Sequence, residues 1–266
     1  MTNNFYEDIV ISNKKSKLKK FSIIALILVC VFSVGVLADL FSTALTTGSF
    51  KFSLFNKKSY NIVEHNLYAV TMGVCDDKFK AYTIASGATS LGAGGYVWFE
   101  DDKYTVVANI YQNSEDANKI LNNINKTEYE TSVVEIKFEG VDIDGFTMEK
   151  EDKELSFDSV NYLFNLYLEL YNLSNNIDTK NITYIKASSI VNGYKSDCKI
   201  MLGKLNELKS RITNNFVNSL SESYVHIIES LDALVYKLLD SNQSSAVVKY
   251  TEIEVVYYLN NFYKNM

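Results

Sequence analysis

Two short segments with strand-like alternation constrain the fold more than any other feature of the chain. Residues 67–74 and 104–111 each alternate in the manner of a half-buried strand. Each segment runs into an acidic helix start, at Asp76 and Asp77 in the first case and at residues 114–117 in the second. Because another apolar run, residues 95–100, lies between these units, the sequence predicts a duplicated βα pattern and a small sheet with one open face.

The element order that follows is β-α-β-β-α-β, the ferredoxin-like or split βαβ arrangement. Asp101 and Asp102 are expected to form a tight turn between the second and third strands. Glycines after residue 91 are expected to end the first helix, since glycine accepts the left-handed geometry found there. The predicted strands are residues 67–74, 96–100, 103–110 and 132–139, and the predicted helices are residues 76–91 and a segment that begins at Ser114.

These residues resemble the SPOR domain, a small bacterial domain that binds peptidoglycan glycan strands stripped of their stem peptides, typically at division or sporulation septa. The resemblance covers residues 66–140 and implies both the fold and a glycan ligand. It is carried by Tyr68, Val70, Gly73, Tyr104, Val106, Tyr111 and the helix start from Ser114 to Ala117. The chain departs from the family at Thr71, Thr105 and Asn109, where the family usually carries Gln, Arg and the first residue of a Gly-Pro-like pair.

Alternation also assigns the two faces of the predicted sheet. We expect the two helices to cover the face formed by Val70, Met72, Val106, Ala108, Val134, Ile136 and Phe138. On the second strand the choice is close to even, and the smaller Val97 suits this core face. The opposite face then carries the candidate glycan-binding residues Thr71, Tyr96, Trp98, Thr105 and Asn109.

An open face with aromatic rings, hydroxyls and an amide suits a polysaccharide. Aromatic rings cover the C–H face of a sugar, and short polar groups bind its hydroxyls. The alternative is that Trp98 is a core residue or is covered by the C-terminal helices.

An uncharged, proline-free apolar run precedes these elements. It extends over residues 21–38 and continues to Phe41 past Asp39. About 20 such residues span a bilayer core, so we expect a single transmembrane helix over residues 21–41. A cleaved signal peptide is the alternative, but the run and its polar lead are long for one. Lysines crowd residues 14–20 and are absent after the run until Lys51, which places the N-terminus in the cytoplasm and the rest outside.

From residue 155 onward the apolar period becomes helical, and three or four amphipathic segments predict an antiparallel bundle. The bundle either buries its own apolar stripe or docks a partner such as a division or sporulation protein. The predicted fold class is therefore α+β. The predicted organisation is a cytoplasmic tail (1–20), a transmembrane helix (21–41), a linker (42–65), the SPOR-like domain (66–140), a second linker (141–154) and a helical domain (155–266).

No residue pattern indicates a metal, a cofactor or a catalytic group. Cys30, Cys75 and Cys198 have no zinc-ligand spacing and are expected to be unpaired. His65 is expected to end a linker and His226 to lie on a helix face. The acidic cluster at residues 100–102 is explained by a hairpin turn. A net charge of −6 argues against a nucleic-acid partner.

The sequence thus favours a single-pass envelope protein that binds septal peptidoglycan through denuded glycan strands and performs no chemistry. One alternative is an envelope protein interaction or scaffolding module that keeps the fold without glycan binding, which the departures at Thr71, Thr105 and Asn109 suggest. A wall hydrolase that uses paired carboxylates is a third hypothesis.

Overall fold

The first half of the described chain contains the predicted order β-α-β-β-α-β, which is confirmed, with one further short strand at each end. The computed structural model describes residues 59–124, 129–240 and 244–266. The elements of this half are β1 (Asn61–Ile62), β2 (His65–Cys75), α1 (Lys78–Ser90), β3 (Tyr96–Glu100), β4 (Lys103–Tyr111), α2 (Ser114–Asn123), β5 (Ser132–Phe138) and β6 (Val141–Asp142). Four of the strands form an antiparallel sheet in the order β3-β4-β2-β5.

Local sequence signals explain where these elements begin and turn. The Asp77 side chain accepts a hydrogen bond from the Lys80 backbone N–H at 2.7 Å and caps α1. Asn113, one residue before the expected Ser114, caps α2 in the same way. Asp101 and Asp102 both have positive φ, at 50° and 58°, as a two-residue hairpin turn requires.

The second half of the chain is helical, as its periodicity predicts. The helices are α3 (Lys150–Asp178), α4 (Tyr184–Arg211), α5 (Asn215–Leu239) and α6 (Ala246–Asn265). Contacts of Ser188 with Val235 and of Lys195 with Asp232 show that α4 and α5 run antiparallel. The Arg211 guanidinium forms two hydrogen bonds with the buried Asp152 carboxylate and ties the end of α4 to the start of α3. The four helices thus form a bundle.

The sheet and the bundle share one hydrophobic core within the compact unit Tyr60–Met266. The described parts of both predicted linkers belong to this unit. Tyr60 and Ile62 are buried, and β1 pairs with β6, which puts residues 61 and 62 beside 142 and 141. Ile143 is fully buried as well. The polar composition of these segments predicts linkers, but a few buried apolar side chains are enough to dock their described parts onto the shared core.

Cys75, Cys198 and His226 lie in the environments that the sequence predicts, whereas His65 does not. Cys75 and Cys198 are buried and unpaired, as predicted, and Cys30 lies outside the described residues. His226 lies on a helix face, as expected, and stacks on Tyr258. The prediction for His65 was wrong, since this residue begins β2 and its ring lies 4.5 Å from that of Phe164. Burial lowers the pKa of His65.

The predicted transmembrane helix at residues 21–41 lies outside the described residues. In the part of the chain that the structure describes, none of the helices combines the length and the apolar character needed to cross a bilayer. The membrane anchor therefore stays a prediction.

Candidate functional site

The two faces of the sheet are covered by different helices. Val70, Met72, Val106 and Ala108 face α1 and α2, as the alternation predicts, and form a small core with Ala81, Ala85 and Ala117. On the opposite face, Ala69, Val107 and Ile110 join the core of the helical bundle. This second face is the one expected to be open.

The face assignment of β5 was wrong by one residue. In the antiparallel ladder Val133 lies opposite Val70 and Val134 lies opposite Ala69. Because directly opposite residues point to the same side of a sheet, Val133 faces α1 and α2, whereas Val134 and Phe138 take the other side. Phe138 is fully buried there and Val134 is 45% exposed. Apolar residues occupy both registers of this strand, so alternation alone did not distinguish them.

Tyr96 and Trp98 lie on the predicted side of β3, opposite Val97, but this part of the face is not open. Helix α6 packs over it, and the two side chains are 7% and 6% exposed. The Tyr96 ring lies 5.1 Å from that of Tyr250, and the Trp98 ring lies 5.1 Å from that of Tyr257. The expectation of an exposed aromatic platform is therefore corrected, and the alternative of coverage by a C-terminal helix holds.

Thr71 and Thr105 keep their predicted face and differ in exposure. Thr71 is 1% exposed, and its hydroxyl forms a hydrogen bond of 2.7 Å with that of Ser132. Thr105 lies opposite Trp98 in the β3–β4 ladder and is half-buried. Within the described residues its hydroxyl has no hydrogen-bond partner, so it is available to a ligand.

Asn109 is not part of this face, which corrects its assignment. The register between β2 and β4 shifts between Val70 and Thr71, which pair with Asn109 and Val107. The extra residue, Ala108, is a bulge that reverses the side on which the following residues point. Asn109 therefore lies on the α1–α2 side and donates a hydrogen bond to the Tyr111 hydroxyl at 3.3 Å.

The uncovered half of the sheet face forms a groove of about 450 Å³. Its floor is the sheet, and one wall is the C-terminal end of α6. Trp98, Thr71 and Thr105 are the sequence-predicted residues that it brings together, while Tyr96 and Asn109 lie elsewhere. The groove is lined by Ala69, Thr71, Val74, Trp98, Glu100, Thr105, Val107, Val134, Glu135, Ile136, Lys137, Asn260 and Lys264.

Charged side chains of both signs border the groove. Glu100 accepts a hydrogen bond from the Trp98 indole N–H at 2.8 Å and forms an ion pair with Lys264. Glu135 and Lys137 adjoin the groove at the edge strand β5, but they lie opposite Tyr68 and Asn66 and so point to the α1–α2 side. There Glu135 accepts a hydrogen bond from the Tyr68 hydroxyl at 3.3 Å and lies 3.6 Å from the Lys137 ammonium. The indole is thus fixed by a carboxylate on its N–H and by Tyr257 on its ring.

Asn260 and Lys264 are site residues that the sequence did not reveal. They lie on α6, about 160 positions from the strands they adjoin, and a helical period gives no sign of what a helix end contacts. A lysine in the last helical turn is expected on electrostatic grounds alone. No local signal therefore marked either residue.

Two acidic groups of the segment after β5 have structural partners. Asp142 accepts a hydrogen bond from the Gly145 N–H, and Asp144 accepts one from the Tyr60 N–H. In residues 59–124, 129–240 and 244–266, the His, Cys, Asp and Glu side chains form no group able to hold a metal ion.

A comparison with solved structures finds a similarity to the peptidoglycan binding domain of the B. subtilis cell wall lytic enzyme CwlC, in its solution structure. The match has 22% sequence identity and a TM-score of 0.25, and it covers 31% of this chain and 99% of that domain. No protein-family profile matches this chain, and neither does any curated protein.

Proposed function

We propose that this protein is a cell-envelope protein that binds peptidoglycan glycan strands through the groove of its SPOR-like domain and performs no chemistry. The observation that carries the proposal is the groove itself, an accessible strip on the sheet face of a β-α-β-β-α-β fold. This strip combines apolar surface, the hydroxyl of the half-buried Thr105 and charged hydrogen-bonding groups.

The size and lining of the groove suit a sugar chain as the ligand better than they suit the flat surface of a partner protein. About 450 Å³ lies in the usual range of small-ligand sites. Val74 and Val134, which are 51% and 45% exposed, offer apolar surface to the C–H faces of the sugar rings. Thr105 and the charged groups offer partners for hydroxyls and amides. The edge of Trp98 adds contact without the broad stacking that an open ring would give.

The proposed location follows from the N-terminal sequence. The apolar run at residues 21–41 would anchor the chain in the cell membrane, and the lysines before it would keep the N-terminus in the cytoplasm. The described unit would then lie outside the membrane, close to the wall, and the predicted site of action is the division or sporulation septum.

A second function is favoured by one specific observation, the coverage of Tyr96 and Trp98 by α6. A sheet whose aromatic residues are buried in this way would serve as a folded core rather than as a binding surface. The protein would then be an envelope interaction or scaffolding module that recruits partners through its helices.

Sedimentation with cell-wall sacculi separates the two functions. The protein used is residues 59–266, because the sheet shares its core with the helices. We expect more binding to sacculi whose stem peptides have been removed by an amidase than to untreated sacculi. Equal binding to both, or none to either, would overturn glycan recognition and leave the interaction module.

A matched pair of variants tests whether the groove is responsible. Thr105→Val removes a hydroxyl from the groove, whereas Thr83→Val removes an exposed hydroxyl from α1. Binding several-fold weaker in the first variant and unchanged in the second supports the proposal. A fluorescent fusion of the full chain tests the septal location, since a uniform distribution around dividing cells would contradict it.

A further inference from the structure

The charged groups that border the groove are unequally satisfied. Both oxygens of Glu100 are engaged, one by the Trp98 indole N–H and the other by Lys264. Glu135 and Lys137 adjoin the edge of the groove, but they lie opposite Tyr68 and Asn66 in the β2–β5 ladder and so point to the α1–α2 side. The acceptors on the groove wall are therefore largely occupied by the protein itself.

The Lys264 ammonium, in contrast, keeps donors to spare. An ammonium group carries three N–H donors. Within the described residues, the ammonium of Lys264 contacts one acceptor, Glu100. The Lys264 side chain is 49% exposed and lines the groove, so its remaining donors are available to a ligand there.

The surplus of donors defines the chemistry of a matching ligand, which has to be rich in acceptors and best of all negatively charged. A glycan strand without stem peptides carries such a group, since each muramic acid then ends in a free lactyl carboxylate. A chain of N-acetylglucosamine alone offers the same ring faces and amides but has no carboxylate.

We infer that Lys264, contributed by the last helix of the bundle, recognises the carboxylate of an acidic sugar in the groove and so sets the preference for muramic acid over neutral sugars. The inference rests on the proposed function. It makes the binding site a composite of the SPOR-like sheet and α6, in which the helix supplies specificity and the sheet supplies contact area.

The test is a fluorescence titration of residues 59–266, in which Trp98 is the single tryptophan and lies in the groove. Three oligosaccharides of equal length serve as probes: a denuded glycan, the same glycan with its carboxylates converted to methyl esters, and an N-acetylglucosamine oligomer. The wild-type protein is expected to bind the denuded glycan about tenfold more tightly than the two neutral probes. This difference should shrink as the salt concentration rises.

Variants then assign the preference to one side chain. Lys264→Met keeps the alkyl stem and is expected to lower affinity for the denuded glycan to the level of the neutral probes, whose own affinity stays unchanged. Lys264→Arg, which keeps the charge, should retain most of the preference. Lys204→Met, at an exposed position on α4, should bind all three probes as the wild type does.

Each remaining outcome counts against the inference. If Lys264→Met binds the denuded glycan as tightly as the wild type, Lys264 does not read the carboxylate although the groove binds glycan. If the variant loses affinity for all three probes equally, its role is structural. If the wild-type protein binds none of the probes, the proposed function fails and the inference fails with it.

Discussion

The two halves of the same sheet face contrast sharply in what lies on them. At the β3 edge and at the end of β4, Tyr96 and Ile110 are sealed by α6 and α3, and the Tyr167 hydroxyl donates to the Ile110 carbonyl. At the start of β4 and along β5, except at its buried last residue Phe138, Thr105 and Val134 stay accessible and a groove remains. The same alternation selects both sets of residues. The difference shows that strand periodicity determines a side of the sheet, while long-range packing determines whether that side binds or is buried.

The covered half should carry most of the stability, and Phe138→Ala is the strongest test. Phe138 is fully buried against the rings of Phe164 and Tyr263. We expect the free energy of unfolding to fall by about 3–5 kcal/mol in a denaturant titration, because the substitution leaves a cavity.

The matched control for this substitution is Phe79→Ala. Phe79 is 83% exposed on α1, so its loss should change stability by no more than about 0.5 kcal/mol. Similar losses for both variants would contradict the picture of a core shared by sheet and helices.

A buried acid in the covered half should make stability depend on pH. Glu252 on α6 is fully buried, and neither of its carboxyl oxygens has a hydrogen-bond partner within the described residues. Burial raises its pKa well above the usual range, and Lys249 opposes this only in part. The folded state therefore holds a proton that the unfolded state releases near pH 4.5.

The sign of the effect follows from that proton. The contribution of Glu252 to the free energy of unfolding is highest below about pH 4.5, where the residue is protonated in both the folded and the unfolded state. The free energy of unfolding then decreases as the pH rises toward the raised pKa of the folded state, by up to about 1.4 kcal/mol per pH unit. Glu252→Gln should remove this dependence of stability on pH. The difference in free energy of unfolding between the variant and the wild type should therefore favour the variant more at pH 7 than at pH 4. Glu222→Gln, at an exposed position of α5, is the control. An unchanged slope in Glu252→Gln would show that Glu252 does not titrate in this way.

The contact between α6 and the loop before β3 gives a smaller effect. A Cβ atom at Gly94 would lie 2.6 Å from the Ile253 side chain and 3.0 Å from the Lys249 backbone. Gly94→Ala should therefore cost about 1–3 kcal/mol in thermal or chemical unfolding, because the helix has to shift. Gly203→Ala on α4 meets open space and should instead stabilise by up to about 1 kcal/mol. If Gly94→Ala left the free energy of unfolding unchanged, α6 would not be fixed on the sheet as described.

The open half should contribute least to stability. Thr105→Val removes a hydroxyl without a partner in the described residues, so the free energy of unfolding should change by about 0.5 kcal/mol or less. A larger loss of stability would show that Thr105 supports the fold and is not primarily a ligand-binding residue. The measurement is the same denaturant titration as for Phe138→Ala.

The sequence predicted the elements well because their signals are local. The sequence predicts residues 96–100 as a strand with the observed bounds, and it predicts the Asp101–Asp102 turn. The helical period from residue 155 onward is confirmed, although α3 begins at Lys150, within the segment expected to be a linker. Caps, turns and periodicity depend on neighbouring residues, and these act in the same way before and after the chain folds.

The candidate site was predicted less completely because its determinants are remote. Asn109 changed sides through a single bulged residue, and β5 offered apolar side chains in both registers. The covering of Trp98 and the arrival of Lys264 at the groove depend on a helix far along the chain. Such contacts leave no periodic trace, so the fold was easier to predict than the surface it presents.

Hydrogen–deuterium exchange of residues 59–266 with and without denuded glycan tests the central claim most directly, since it shows where a ligand lies on the sheet. The account predicts slower exchange at residues 103–107 on β4, at residues 132–137 on β5 and in the last turn of α6, with no change in α1 or α4. Protection confined to the α1–α2 side, or no protection under conditions where the protein sediments with sacculi, would contradict it.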